Sequence, residues 1–262
     1  GLYGQNNSNP TSNRSSPVQM AGGMGGKTWD TGGGKQVKMT CTSGNWMTID
    51  SDGGLWGCGD YSYGKLGLNS PFGANVKLSS PTQIGTDQTW ADIGNTNQGA
   101  LAIKTNGTLW AWGNNGFGDL GLNQGNPSPR YDRSSPTQVG SRTDWHYVAE
   151  GGNGGSAAVT TGGELYSWGY NSKGQIGNNQ SGYPGTRSSP VLIPGTWTHV
   201  VAGNNFKAGV KSDGSAWAWG SNHKGFLGQN SRTNYSSPVQ IPGTWAGCFI
   251  INGYGSLGLL KE

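Results

Sequence analysis

Hydrophobic and polar positions alternate in short runs bounded by glycine-rich turns, and this two-residue period predicts strands along the chain. The stretch from Trp197 to Ile241 gives the pattern in full. Trp197 to Ala202 is a β-rich run, Gly203 to Asn205 a turn, and Phe206 to Lys211 a second strand. Ser212, Asp213 and Gly214 predict a hairpin turn, because glycine takes positive φ without a steric penalty. From Ser215 to Gly220 small residues alternate with tryptophan, so a third strand places them on opposite faces. After a polar loop, Pro238 to Ile241 reads as an edge strand, where a missing N–H is tolerated.

The same unit recurs. Ser-Ser-Pro stands at Ser15–Pro17, Ser79–Pro81, Ser134–Pro136, Ser188–Pro190 and Ser236–Pro238. A tryptophan follows each: Trp29, Trp90, Trp145, Trp197 and Trp245. An aromatic strand ending in glycine occurs at Leu55–Gly59, Leu109–Gly113, Leu165–Gly169 and Ala216–Gly220. Gly-x-Leu/Ile-Gly follows at Gly64–Gly67, Gly118–Gly121, Gly174–Gly177 and Gly225–Gly228, with Gly1–Gly4 as a further copy. Hairpin turns equivalent to Asp213-Gly214 fall at Asp52-Gly53, Asn106-Gly107 and Gly162-Gly163. Four short strands per unit of roughly 50 residues make a propeller blade, which must stack on neighbours to bury its faces.

The segments Leu109 to Gly121, Leu165 to Gly177 and Ala216 to Gly228 resemble the signature of the regulator of chromosome condensation repeats, and the resemblance runs nearly the whole chain. It implies an all-β propeller, in that family usually of seven blades. The family's functions are diverse: nucleotide exchange on a small GTPase, chromatin binding and inhibition of β-lactamases. We expect one propeller domain over residues 1–262, with units at about 29–89, 90–144, 145–196 and 197–244. A split unit would combine 245–262 with 1–28. About five four-stranded blades are thus visible, as a closed ring or as part of a seven-bladed one.

Composition refines this picture. Fifty glycines and twelve tryptophans in 262 residues fit tight turns around an aromatic core. There is no Gly-X-Y period, which excludes collagen. Charged residues make up only 11%, with a net charge of +4. A surface so poor in charge points to a virion-associated or extracellular protein. Cys41, Cys58 and Cys248 are an odd count without metal-ligand spacing, and read as buried free thiols. No apolar run approaches the ~18 residues of a membrane helix.

Chemistry is sparse. Ala21 to Thr28 nearly matches a phosphate-binding loop, but the repeat marker Trp29 follows rather than a helix, so an inter-blade loop is expected and no cofactor. His146 and His199 sit at different offsets in different units, which argues against a metal or acid–base pair. No catalytic residue is assigned, and no enzyme is expected. Two patterns offer candidate contacts. A basic residue precedes every Ser-Ser-Pro: Arg14, Lys77, Arg133, Arg187 and Arg232. Equivalent blade positions share a face, so these form either a positive ring or bonds to neighbouring loop carbonyls, the second being preferred. The loop after the aromatic strand varies at its tip, with Tyr61, Tyr63, Asn115, Phe117, Tyr170, Lys173, His223 and Lys224 as candidate partner-binding residues.

The expected function is a non-catalytic binding or structural module, of a virion or a secreted surface protein, contacting protein or glycan. The alternatives are a regulator of a small GTPase and a protein inhibitor of an enzyme. Five basic residues make too weak a face to expect nucleic acid as partner.

Overall fold

The structure, a computed structural model, describes residues 38–41, 44–69, 77–95, 98–125, 131–149, 155–250 and 257–261. Arg14, Ser15–Pro17, Gly1–Gly4, the loop from Ala21 to Thr28 and Trp29 lie outside them, as does the 1–28 half of the expected split unit.

The described strands form four antiparallel four-stranded sheets in meander order and a two-stranded one. Blade 1 holds β1 (Met39–Cys41), β2 (Asn45–Ile49), β3 (Leu55–Asp60) and β4 (Lys77–Gln83). Blade 2 holds β5 (Trp90–Asn95), β6 (Gly99–Lys104), β7 (Leu109–Gly113) and β8 (Arg133–Gln138). Blade 3 holds β9 (Trp145–Val148), β10 (Ser156–Thr160), β11 (Leu165–Gly169) and β12 (Arg187–Ile193). Blade 4 holds β13 (Trp197–Ala202), β14 (Phe206–Lys211), β15 (Ala216–Gly220) and β16 (Tyr235–Ile241). β17 (Gly247–Ile250) and β18 (Leu257–Leu260) pair as the opening strands of a further unit and pack on blade 4.

Blades adhere through shared cores. Met47, Leu55, Leu66 and Ile84 of blade 1 pack with Trp90, Ile93 and Trp112 of blade 2. The same exchange joins blades 2 and 3 and blades 3 and 4. Each core needs both blades, which is why an isolated repeat does not bury its faces.

The sequence markers mark inter-blade joints. The hairpin glycines Gly53, Gly107, Gly163 and Gly214 adopt φ of +86°, +75°, +80° and +77°. Their carbonyls accept the N–H of the next marker tryptophan: Trp90, Trp145, Trp197 and Trp245, at 2.8–3.1 Å. A blade therefore starts where the preceding hairpin holds it. Ser-Ser-Pro lies inside the fourth strand rather than before it, as β16 begins at Tyr235 and not at Pro238. The register shifts opposite it, between Ala218 and Gly220 in blade 4 and at the matching place in blades 1 to 3, and this bulge admits the extra residues. Cys58 and Cys248 are buried, but Cys41 is exposed on the short edge strand β1, so the expectation of three buried thiols fails there.

Candidate functional site

Antiparallel order puts all loops between third and fourth strands at one end of the blades, and the hairpins between second and third strands at the other. The loop end carries the variable tips. Its scaffold is a corner built by Gly-x-Leu/Ile-Gly. A Cβ on Gly121 would stand 2.8 Å from Trp168 Nε1, and one on Gly118 would stand 2.6 Å from Ser188 Cα. The corners of blades 1 to 3 thus dock on the Ser-Ser-Pro strand and the second tryptophan of the next blade. Trp112 Nε1 donates to Lys65 O at 3.1 Å, Trp168 Nε1 to Asp119 O at 2.9 Å, and Trp219 Nε1 to Gln175 O at 3.1 Å. Backbone bonds from Asn69, Asn123 and Asn179 to Ser134, Ser188 and Ser236 close each joint at 2.7–2.8 Å.

A buried asparagine holds the tip in blades 2, 3 and 4. Asn115, Asn171 and Asn222 are fully buried. Their Oδ1 atoms accept the N–H of Leu120, Ile176 and Leu227 at 2.9–3.1 Å. Their Nδ2 groups donate to Gln124 O, Gln180 O and Ser231 O at 2.8–2.9 Å. Asn115 accordingly stabilises its loop from within and offers no side chain to a partner, contrary to its place among the candidate contacts. The signal was present as Asn-x-x-Gly ending on Gly118, Gly174 and Gly225.

The remaining candidates separate. Tyr61 is half-buried against the core between blades 1 and 2, whereas Tyr63 is exposed with φ +57°. Lys173, His223 and Lys224 are exposed. His223 stands edge-on to Phe226 at 6.1 Å, with Nδ1 2.9 Å from Ser221 Oγ. Phe117 and Tyr170 come together across blades 2 and 3, ring centroids 4.4 Å apart. Tyr183 joins them at 6.2 Å and 6.3 Å and is 63% exposed. Tyr183 was missed because it belongs to the one loop that contains a Tyr-Pro-Gly turn and has no repeat counterpart.

The basic positions split likewise. Arg133 Nη1 donates to Tyr131 O and Asp132 O at 3.2 Å and 3.3 Å, and its Nη2 donates to Gln124 Oε1 at 2.6 Å. Arg187 repeats this one blade on, with Nη1 donating to Pro184 O and Thr186 O and Nη2 to Gln180 Oε1. Both arginines bond loop carbonyls, as the preferred reading expected. Lys77 and Arg232 are exposed at the same end. Arg14 lies outside the described residues.

Two buried ionisable groups were not foreseen. Lys207 of β14 is fully buried and its Nζ donates to Gln175 O at 3.0 Å. Asp119 accepts the Tyr170 N–H at 3.0 Å through Oδ1. Burial pushes the Asp119 carboxyl up to about 6 against the pull of the Tyr170 N–H and of Lys207. Burial pushes the Lys207 ammonium down to about 7, and Asp119 opposes this. Asp119 thereby ties the corner of blade 2 to the loop of blade 3, and Lys207 ties blade 4 to the corner of blade 3.

At the hairpin end cations are paired. Arg142 binds Asp144 through Nε at 2.9 Å and Nη2 at 2.8 Å, and reaches Glu164 at 2.7 Å. Lys104 lies 3.9 Å from the Trp110 ring centroid and 2.5 Å from Asp87. Lys211 sits 4.0 Å from the centroid of Trp217. Among the described residues no group of three or more His, Cys, Asp or Glu side chains is placed to hold a metal ion.

Three comparisons with known proteins bear on this geometry. The family model of the regulator of chromosome condensation (RCC1) repeat matches residues 106–159, 162–210 and 213–246. The chain is similar to the RCC1 domain-containing protein RUG3, mitochondrial, of Arabidopsis thaliana, at 30% identity over 56% of this chain and 31% of that protein. It is similar to the probable E3 ubiquitin-protein ligase HERC3 of Homo sapiens, at 27% identity over 76% of this chain and 19% of that protein. It therefore spans less than a third of the length of these relatives. Its fold matches that of Prp20p of Saccharomyces cerevisiae, a structure described with its binding properties to Gsp1p and histones, with a TM-score of 0.67, 18% identity, and coverage of 80% of this chain and 51% of that one.

Proposed function

The chain belongs to the regulator of chromosome condensation (RCC1) repeat family, and we propose that within it the chain is a non-catalytic protein-docking module whose contact surface is the loop end of blades 2 and 3. The observation that carries this reading is the cluster of Phe117, Tyr170 and Tyr183. Three aromatic rings from adjacent blades meet at the surface, on loops locked by buried asparagines. Rigid, partly exposed aromatic rings are the usual anchors of protein interfaces, because they bury large area at little entropic cost. Displaced pKa values often mark catalytic groups. Here the two strongest such groups on the loop side, Asp119 and Lys207, serve a joint between blades, which favours a structural use of their charges.

The placement in a virion or secreted protein drew on charge-poor composition alone, and the named relatives add no support to it. A regulator of another protein, such as a small GTPase, is better supported, since Prp20p uses this fold and is described with binding to Gsp1p and histones.

The test is affinity capture from the native source with the wild-type chain and with a Phe117→Ala, Tyr183→Ala double variant, followed by mass spectrometry. A partner lost selectively by the folded variant supports docking at the cluster. Equal recovery of every captured protein refutes it. If the partner is a small GTPase, release of a fluorescent guanine nucleotide measured with and without the chain decides the regulator reading.

A further inference from the structure

Resting on that docking surface, we infer that the partner presents an acidic peptide segment to it. The ground is an asymmetry in how the two ends of the blades treat their cations. At the hairpin end of blades 1 to 4 each described lysine or arginine has a carboxylate or a ring: Lys38 bonds Asp92 at 2.5 Å, Lys104 bonds Asp87, Arg142 is shared by Asp144 and Glu164, and Lys211 lies over Trp217. At the loop end the pattern reverses. Arg133 and Arg187 are fixed by neutral acceptors, backbone carbonyls and the amides of Gln124 and Gln180. These bonds orient the guanidinium groups and leave their charge uncompensated. Lys173 and Lys224, on the loop tips of blades 3 and 4, are exposed and make no ion pair with a described residue. The acids of this end are otherwise engaged. Asp60 bonds Lys65 at 2.8 Å, Asp119 accepts Tyr170 N–H, and Asp132 accepts Asn115 N–H at 2.8 Å.

The aromatic cluster is part of this field. Arg187 follows Tyr183 in one loop and takes the carbonyl of Pro184, while Gly118, next to Phe117, abuts Ser188, next to Arg187. An apolar anchor among oriented, unneutralised cations suits a segment with one aromatic or aliphatic side chain flanked by carboxylates. Complementary charge then supplies steering and register, and the rings supply the affinity. A single nucleic-acid strand would also meet cations and rings, but stacking along it needs a row of rings in a continuous groove, and here the rings are gathered at one joint.

The test uses the intact chain and three fluorescein-labelled probes: a short peptide with one Tyr flanked by Asp and Glu, the same peptide with Asn and Gln, and single-stranded oligothymidine. Anisotropy is read at low and moderate salt. The acidic peptide is expected to bind at least ~tenfold more tightly than its neutral counterpart, with the difference shrinking as salt rises. Lys173→Gln with Lys224→Gln, both exposed and structurally idle, should weaken the acidic peptide several-fold. Arg187→Gln should weaken it further, and Tyr183→Ala should weaken both peptides. Equal binding of the two peptides, still lost in Tyr183→Ala, overturns the acidic preference and leaves the docking site standing. Peptide binding indifferent to Tyr183→Ala overturns the docking site itself. Binding of oligothymidine alone overturns both in favour of nucleic acid.

Discussion

The indole latch between blades can be weighed by making one change in two places. Trp112, Trp168 and Trp219 are all fully buried, and each donates to the carbonyl of a corner residue of the preceding blade. The carbonyls differ in what else they receive. Asp119 O also accepts Ser156 Oγ at 2.6 Å, and Gln175 O also accepts Lys207 Nζ. At the position of Ser156 and Lys207, blade 2 has Ala100, so Lys65 O has Trp112 as its side-chain donor. Replacing tryptophan by phenylalanine removes the N–H and part of a ring in both places, a loss of roughly 1–2 kcal/mol for the cavity and contacts. Trp112→Phe also strands a buried carbonyl, which adds about 1–3 kcal/mol. Trp168→Phe leaves Asp119 O bonded to Ser156. The expected order is therefore Trp112→Phe less stable than Trp168→Phe by about 1–3 kcal/mol. Adding Ser156→Ala to Trp168→Phe should abolish the difference, with a coupling of about 1 kcal/mol or more. Urea unfolding followed by far-ultraviolet circular dichroism, at unchanged m-value, measures the wild type, Trp112→Phe, Trp168→Phe, Ser156→Ala and the double variant. Equal midpoints for the two single variants, or an additive double variant, would refute the reasoning.

Three further outcomes follow from the same joints. Gly121→Ala and Gly228→Ala both force alanine to a φ near +70°, at about 1 kcal/mol. Only Gly121→Ala meets an indole, at 2.8 Å, while Gly228→Ala finds Ile241 at 3.7 Å, so thermal unfolding should fall distinctly more for Gly121→Ala. Asn171→Ala removes bonds to Gln180 O, Gly185 O and Ile176 N and should cost about 2–4 kcal/mol, with faster hydrogen exchange in the loop 170–187 as its local sign. The Asp119 carboxyl, raised to about 6 in the fold from 3.8, holds its proton more tightly when folded, so its contribution to stability falls as pH rises from about 4 to about 6. Lys207, lowered to about 7 from 10.5, releases its proton more readily when folded, so its contribution rises from about pH 7 to about 10. Denaturant midpoints across pH should therefore lose the acid limb in Asp119→Asn and the alkaline limb in Lys207→Met. An unchanged profile in both variants would be inconsistent with a buried pair.

The blades were legible because the residues that make them recur, and each recurrence has one physical cause. The hairpin glycines repeat because the next tryptophan N–H must reach their carbonyl, and the corner glycines repeat because an indole lies against them. Those demands act at fixed offsets, so periodicity exposes them. The strand carrying Ser-Ser-Pro was drawn too short because its bulge is a backbone feature, set by the register of the partner strand and silent in the sequence. Asn115 was placed among surface contacts because a tip residue beside an aromatic looks solvent-facing. Comparison with Asn171 and Asn222 at the same offset carried the opposite message.

What escaped the sequence escaped for the same reason that it matters. Tyr183, Asp119 and Lys207 occupy places where the repeat sets no rule: a loop of one blade only, the free position of Gly-x-Leu/Ile-Gly, and a strand site filled by Ala100, Ser156 and Trp46 elsewhere. Blade geometry needs only a carbonyl at the free position, and Lys65, Asp119 and Gln175 supply it equally well. Side chains there are released from the fold's demands and can differ from blade to blade. A ring of near-identical blades becomes a directional binding surface only by such differences. The joint between blades 2 and 3 is where an exposed ring cluster, an oriented arginine and a buried carboxyl fall together.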